Sequence, residues 1–209
     1  MDYLQELIRR YPELSGIKDA ILNAASCMIR VFESGGKLLV AGNGGSAADC
    51  EHIVGELMKS FVKKRTLPAA YTAALAAINP EIARYLGPRI QPGLPAIALT
   101  GHAGLSSATL NDIDGAIVYA QQLYGYGKSG DLFIGISTSG NAKNVVYAAV
   151  AAKAKGMTVI ALSGGTGGEL VNYADVAIMV PETETYKIQE LHLPIYHTLC
   201  LMTEDHFFP

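Results

Sequence analysis

The chain of 209 residues has little cysteine, little excess charge and no long hydrophobic run. Its three cysteines (Cys27, Cys50 and Cys200) are widely spaced without a CxxC pair, which is typical of reduced, buried thiols rather than a disulfide framework. A formal net charge of −3 offers no electrostatic surface for nucleic acid. No apolar stretch approaches the roughly 20 residues that span a bilayer, and the N-terminus is unlike a secretory signal. These absences predict a cytoplasmic protein that binds neither nucleic acid nor membrane.

Basic residues form only one run, at 63–65, and this run is short. Runs of charge are usually solvated, so we expect an exposed helix end there. Hydrophobic residues make up 50% of the chain and charged residues 17%, which is typical of a well-buried soluble fold. The length of 209 residues suits a single α/β domain with a full core, and we expect one domain over residues 1–209.

A strand, a glycine turn and a helix are predicted near the start of this domain. Leu38–Ala41 is a short apolar run typical of a buried strand, and Gly42–Gly45 permits a tight turn. Ser46 is a favourable N-cap for the next helix, where His52 and Glu56, four residues apart, share one face. The free N–H groups at such a helix start bind phosphate. An anion site beside an acid–base or metal-ligand pair indicates chemistry on a phosphorylated small molecule.

Short apolar segments alternate with helical segments along the rest of the chain. Strands are predicted at 38–41, 96–99, 131–136, 157–162 and 175–180. Such alternation predicts an α/β fold with a three-layer, doubly wound, parallel five-stranded sheet. Two helices within residues 1–34 precede the sheet, and the proline-rich excursion at 65–95 is expected to be a partly helical lid or oligomer contact.

A second polar loop, Ser137-Thr138-Ser139, also follows an apolar strand and precedes a helix. Because ligands of such folds bind at the carboxyl ends of the strands, we expect this loop to share a phosphate with the first one. The alternative is that Ser139 or Asn141 only caps the helix. The first loop also matches the dinucleotide pattern G-x-G-x-x-A, but the 20 residues that follow end in the basic run, before any second strand. The sequence therefore favours a phosphate over a dinucleotide.

Three motifs together resemble the sugar isomerase (SIS) domain family, and within it the phosphoheptose isomerases. They are GNGGS-x5-H-x3-E, GISTSGN-x2-NV and K-I-Q-E-x-H-x4-H. The resemblance runs from about residue 35 to residue 203, apart from the excursion. It implies an SIS fold, which is flavodoxin-like, and the aldose–ketose isomerisation of a sugar phosphate such as sedoheptulose 7-phosphate.

The resemblance also implies roles for particular residues. Glu56 and His197 are expected to be the catalytic acid–base pair. Substrate binding is expected at Asn43, Gly44, Ser46, Asp112, Ser137, Thr138, Ser139 and Gln189. One zinc ion per subunit is expected to be enclosed by His52, Glu56, Gln189 and His197. A homotetramer with sites between subunits is implied as well.

Two hypotheses about function follow from this resemblance. The first is an enzyme that moves a proton between neighbouring carbons through an enediol, with a carboxylate as base and an imidazole as proton carrier. The second is a non-catalytic SIS module that senses a phosphosugar or binds a partner protein. The chain departs from the family pattern at Ser60, Ala142, Tyr186 and Pro194. The four residues expected to enclose zinc are all present, and this favours the enzyme.

Overall fold

The computed structural model describes residues 2–209, and these residues form a three-layer α/β fold. Its elements in chain order are α1 (Tyr3–Arg10), α2 (Lys18–Glu33), β1 (Leu38–Gly42), α3 (Gly45–Met58), α4 (Ala69–Ile78), α5 (Pro80–Leu86), β2 (Ala96–Ala98), α6 (Ala103–Asp112), α7 (Val118–Tyr126), β3 (Leu132–Ile136), α8 (Lys143–Ala154), β4 (Thr158–Gly164), β5 (Val176–Val180) and α9 (Thr185–Phe207). Short 3₁₀ turns lie at Pro12–Ile17, Gly115–Ile117 and Leu170–Tyr173.

The strands pair in the order β2-β1-β3-β4-β5, and every pair is parallel. This arrangement confirms the predicted fold class, and it places β1 and β3 side by side in the sheet. In their register Gly42 lies opposite Ile136, so both strands end at the same level. The loops that follow them are therefore neighbours at the carboxyl edge, where ligands of parallel sheets bind.

Two apolar layers cover the sheet. Leu38 and Val40 pack into one layer together with residues of α1, α2, α3 and α9. Leu39 and Ala41, which alternate with them along β1, pack into the other layer with residues of α7 and α8. Because successive strand side chains point to opposite faces, this short run of apolar residues supplies both layers. The layer that contains α3 and α9 is the one that brings the predicted acid–base residues together.

The excursion is helical, as predicted, and forms a hairpin of α4 and α5 that we call the arm (residues 69–86). The two helices pack chiefly against each other. None of the α4 residues, all of which the structure describes, is buried, and Ile78 at its end is 85% exposed. α4 also carries no charged residue. A helix that is apolar all round is normally buried, so the arm presents an unusual free surface.

The expectation of a solvated basic run is wrong for its last residue. Arg65 is only 3% exposed, whereas Lys64 is exposed as expected. The cause lies at the other end of the sequence, because the carboxylate of Glu204 on α9 pairs with the Arg65 guanidinium at 2.9 Å. Lys63 instead pairs with Asp205 at 2.7 Å near the surface. The run therefore joins the segment after α3 to the end of α9.

The last helix, α9, continues through Pro194 without a break. Pro194 has no N–H to donate to the Glu190 carbonyl oxygen one turn earlier. One turn later, Thr198 Oγ1 donates to the Pro194 carbonyl oxygen at 2.8 Å. Gln189 and His197 consequently lie on one helix, about two turns apart. Among residues 2–209, no helix is both long and apolar enough to cross a bilayer.

Candidate functional site

A cleft of about 320 Å³ opens at the carboxyl edge of the sheet, between the ends of β1 and β3. We call it the phosphate cleft. Most of its lining was predicted from sequence and comprises Asn43, Gly44, Ser46, Ser137, Thr138, Ser139 and Gln189. Ala142 and Thr185 also line it. The structure thus gathers hydroxyl groups and the beginning of a helix around a space large enough for a phosphorylated ligand.

The first wall of this cleft is the start of α3. The N-cap of α3 is Gly44, with φ of 56°, and Ser46 lies inside the first turn. The prediction of Ser46 as N-cap is therefore wrong, because glycine adopts the positive φ that the turn requires. Ser46 is buried, and its hydroxyl makes no capping bond. The first N–H groups of α3 have no intrahelical acceptors and are available to an anion.

The second wall is the loop at 137–140. Gly140 has a φ of 68°, and a Cβ atom there would lie 1.7 Å from the Gly167 carbonyl oxygen. The Thr138 carbonyl oxygen accepts hydrogen bonds from Gly164 N at 3.1 Å and from Ser163 Oγ at 3.4 Å. These contacts hold the loop against the end of β4. The loop is thereby held in place by contacts of its backbone that do not use the hydroxyl groups of its serines and threonine.

One hydroxyl of this loop does have a local partner. Ser139 Oγ accepts a bond from Asn141 N at 3.2 Å, which is a turn contact rather than a helix cap. The N-cap of α8 is Ala142, which has no side chain to cap with. The alternative that Ser139 or Asn141 caps the helix is therefore wrong.

The predicted acid–base residues form a second group, on the helix layer beside the cleft, that we call the acid–base cluster. His52 Nε2 lies 3.2 Å from Glu56 Oε1 on α3. The same nitrogen lies 3.4 Å from His197 Nε2 on α9. His197 also contacts the ring of Phe61, with 5.4 Å between ring centroids. Packing of α3 against α9 thus brings together side chains more than 140 residues apart.

Two residues that the sequence analysis missed orient His52. The Tyr196 hydroxyl lies 3.1 Å from Asp49 Oδ1 and 3.1 Å from His52 Nδ1. If the hydroxyl donates to the carboxylate, its oxygen accepts the His52 Nδ1 proton, and Nε2 is left as an acceptor for a proton carried by Glu56 or His197. Sequence held a weak signal for this contact, because Asp49 stands one helical turn before His52 and Tyr196 stands next to His197.

The surroundings of His197 favour its uncharged imidazole. Burial lowers the pKa of His197, the neighbouring His52 lowers it further, and Glu56 opposes both. Burial also raises the pKa of Asp49, although the bond from Tyr196 counteracts this. A neutral imidazole can both accept and return a proton, as general acid–base catalysis requires.

His197 opens into a cleft of its own, of about 320 Å³, whose lining includes Arg10 and Phe61. Gln189 lies in the phosphate cleft, so α9 contributes to both spaces. Asp112, expected to contact substrate, lies at the exposed end of α6 outside both clefts, where it accepts a bond from Asn111 Nδ2 at 2.8 Å. Within residues 2–209 of one chain, Asp112 is therefore not brought to the cluster.

Asn43 has a partner that the sequence analysis did not name. Its amide exchanges two bonds of 2.9 Å with the amide of Asn144 on α8. The Tyr119 hydroxyl donates to the Gly42 carbonyl oxygen at 2.6 Å, just before the glycine turn. These bonds fix the side chain of Asn43 at the mouth of the cleft.

The residues expected to bind zinc have suitable donor atoms, namely imidazole nitrogens, a carboxylate and an amide oxygen. Ligands of a tetrahedral zinc ion with bonds of about 2.0–2.1 Å lie about 3.3 Å apart. The distances from His52 Nε2 to Glu56 and to His197, 3.2 and 3.4 Å, match that spacing. As the side chains stand in residues 2–209, however, no three His, Cys, Asp or Glu residues converge to hold a metal ion. The donor atoms and two of the distances between them fit zinc, but the four expected ligands do not all lie around one point.

Comparison with known proteins gives matches over most of the chain. A family model described as SIS domain matches residues 2–87 and 72–164. The phosphoheptose isomerase of Aneurinibacillus thermoaerophilus is 37% identical over 202 residues, which cover 92% of this chain and 89% of the relative. Phosphoheptose isomerase 2 of Campylobacter jejuni is 38% identical over 188 residues, with 90% and 81% covered.

Solved structures show the same likeness. The phosphoheptose isomerase of Neisseria gonorrhoeae superposes with a TM-score of 0.75 at 32% identity, covering 96% of this chain and 94% of that one. The phosphoheptose isomerase of Francisella tularensis also gives a TM-score of 0.75, at 31% identity, with 97% and 95% covered.

Proposed function

The chain belongs to the SIS domain family, and we propose that it is a phosphosugar isomerase that interconverts an aldose and a ketose phosphate through an enediol. The proposed substrate resembles sedoheptulose 7-phosphate, since the relatives above are named phosphoheptose isomerases. The observation that carries the proposal is the placement of an acid–base cluster on the same two helices, α3 and α9, that line the phosphate cleft.

The phosphate cleft supplies the binding part of this function. The first N–H groups of α3 and the hydroxyls of Ser46, Ser137 and Thr138 would donate to the phosphate oxygens. A phosphate monoester has several oxygens to satisfy, and the two loops approach it from neighbouring strands. Asn43 and Gln189, at the edges of the cleft, would then contact the sugar.

The acid–base cluster supplies the chemistry. The Glu56 carboxylate removes the proton from the carbon beside the carbonyl group and returns it to the neighbouring carbon. The neutral imidazole of His197 moves the second proton between the two oxygens. The pair Asp49 and Tyr196 keeps His52 oriented towards both groups. A merely sensory module would need only the phosphate cleft, so the cluster favours the enzyme over that alternative.

Zinc is part of the proposal. The residues that would hold it are His52, Glu56, Gln189 and His197, whose donor types and partial spacing support it. When bound, zinc would polarise the two oxygens between which the proton moves. A lone pair that binds a metal cannot accept a proton at the same time, so with zinc bound Glu56 and His197 would give up or share one of their two roles.

We also propose a homotetramer in the cytoplasm. The uncharged, exposed surface of α4 supports association, because a monomer gains nothing from displaying it. The three cysteines are free and buried, as expected in a reducing compartment.

The test is proton NMR with a panel of ketose phosphates of five to seven carbons in deuterated water, with added zinc and with chelator. We expect deuterium to enter beside the carbonyl group of a seven-carbon ketose phosphate. Glu56→Gln, prepared in parallel, excludes a contaminating isomerase, and Glu51→Gln on the exposed side of α3 serves as matched control. Binding of these sugars without exchange in any of them would favour the sensory module instead.

A further inference from the structure

An ion pair with every polar atom engaged lies beneath the acid–base cluster. The side chains of Arg65 and Glu204 are 0% and 1% exposed. Arg65 donates from Nε and Nη2 to Glu204 Oε1, at 3.0 and 2.9 Å. Its remaining N–H groups donate to three backbone carbonyl oxygens: Leu57 at 2.7 Å, Glu56 at 3.1 Å and Pro92 at 3.2 Å. All five guanidinium donors therefore have acceptors.

The guanidinium of this pair holds the end of α3. The last carbonyl groups of a helix lack intrahelical donors, and Arg65 supplies them for Glu56 and Leu57. Its positive charge also suits the negative end of the helix dipole. The backbone of Glu56 is thus tied to the pair directly.

The carboxylate of this pair holds His197 by a second route. Glu204 accepts bonds from three consecutive backbone groups after α3, namely Phe61 N at 2.8 Å, Val62 N at 2.8 Å and Lys63 N at 3.1 Å. This capture places the ring of Phe61 against the imidazole of His197. His197 and Glu204 are seven residues apart on α9, so they lie on the same side of that helix about two turns, or roughly 10 Å, from each other.

We propose that Arg65 and Glu204 are positioning residues, which set Glu56 on α3 and His197 on α9 in catalytic register. This inference rests on the proposed isomerase function. A buried ion pair is a weak source of stability, because desolvation offsets its attraction, and apolar residues could fill the same space. What an apolar pair cannot do is fix a helix end and the neighbouring loops by six directed hydrogen bonds. A displacement of about 1 Å at reacting groups can lower a rate by about 10²-fold.

The test compares Arg65→Lys with the wild-type protein and with Lys153→Met. Lysine keeps the charge opposite Glu204 and loses the fork that reaches Glu56 and Leu57. Lys153→Met removes one partner of an exposed ion pair with Asp175, remote from the site. For each protein, kcat and KM are measured with the substrate identified by isotope exchange, and the unfolding midpoint is measured by circular dichroism.

We expect Arg65→Lys to lower kcat by about 10- to 100-fold while KM stays within about twofold, since the phosphate cleft is unchanged. Phe61→Leu should lower kcat with the same unchanged KM, because it removes the ring from His197 and leaves the ion pair intact. Lys153→Met should match the wild type in both constants. If Arg65→Lys is too unstable to measure, Phe61→Leu together with Glu204→Gln decides the question.

Wild-type kcat in a folded Arg65→Lys, or in both Phe61→Leu and Glu204→Gln, would overturn the inference and leave the pair a purely structural role. A 10- to 100-fold rise of KM in Arg65→Lys without a fall of kcat would overturn it too. A wild-type protein without any turnover would instead refute the proposed function, which keeps the two failures distinct.

Discussion

The phosphate cleft and the acid–base cluster share the helices α3 and α9 but are built in different ways. The cleft is made by two short loops, each contiguous in sequence with a strand and a helix. The groups that would bind the phosphate include backbone N–H groups. The cluster is made by side chains from α3 and α9, whose contact depends on the packing of a whole helix layer. Binding should therefore tolerate disturbances that chemistry does not. The two regions can be separated experimentally by single substitutions.

The largest expected effect is that of Glu56→Gln on turnover. An amide cannot accept the carbon-bound proton, and loss of a general base typically costs 10²- to 10⁴-fold, so kcat should fall by about 10³-fold. Affinity for the substrate phosphate should remain within a few-fold, because Glu56 does not line the phosphate cleft. Isothermal titration with the substrate and NMR exchange rates measure the two quantities separately. A parallel loss of binding would show that the two regions are not separable.

The converse substitution is Ser137→Ala in the cleft. The Ser137 hydroxyl is buried at the end of β3, and a hydrogen bond to a charged group contributes about 1.5–3 kcal/mol. KM should rise by about 10- to 100-fold, whereas the maximal exchange rate at saturation should change little. The matched control is Ser26→Ala, whose hydroxyl bonds the Leu22 carbonyl oxygen on the distant helix α2. A fall in kcat at unchanged KM would mean that Ser137 acts in the chemistry.

The contrast also explains what could be predicted from sequence. Strands, glycine turns and the His52–Glu56 spacing are local patterns, and the structure places them where the patterns predict. Ser46 was assigned the wrong place in its helix because the choice between Gly44 and Ser46 as N-cap depends on a backbone angle, not on capping preference. Local sequence patterns therefore predicted the cleft, and they placed the N-cap of α3 two residues too late.

The residues around the cluster depend on contacts between distant parts of the chain, and sequence reasoning missed them. The pairing of Tyr196 with Asp49 requires the packing of α9 on α3. Arg65 belongs to a charge run that is solvated in most proteins, and only Glu204, 139 residues away, explains its burial. The substrate contact expected of Asp112 stays a prediction, because it follows from a motif match and Asp112 lies outside both clefts in the fold of one chain.

An intermediate effect is expected at His192, which lies on α9 between the cleft residue Gln189 and the cluster residue His197. It is 0% exposed, and neither of its ring nitrogens has a hydrogen-bond partner among residues 2–209. Burial lowers the pKa of His192 from 6.5 to about 4, against a smaller opposing contribution from the Ser163 backbone, which lies outside good hydrogen-bond geometry. Above pH 6.5 the imidazole is neutral in both the folded and unfolded states, and this part of the stability is intact.

As the pH falls from 6.5 towards 4, the unfolded chain takes up the proton first, so stability is lost in that window. At pH 5 the loss should be roughly 2 kcal/mol. His192→Leu should remove this acid sensitivity when urea unfolding is compared at pH 7.5 and 5. His102→Gln, at a half-exposed imidazole, is the control. An unchanged acid sensitivity in His192→Leu would mean that other groups cause it.

The smallest expected effect is a gain, at Ala142→Ser. Ala142 is the N-cap of α8 and lines the phosphate cleft, so a serine there would supply both a missing helix cap and a further donor to the phosphate. A serine N-cap in place of alanine typically adds about 1 kcal/mol, which should raise the unfolding midpoint by a few degrees.

If the new hydroxyl turns to the phosphate instead, KM should fall a few-fold and the midpoint should stay unchanged until ligand is added. Because one hydroxyl cannot serve a backbone N–H group of the first turn of α8 and the ligand equally, measuring the midpoint with and without inorganic phosphate separates the two outcomes. A gain in kcat from this substitution would contradict the division of labour between cleft and cluster, since Ala142 lies only in the cleft.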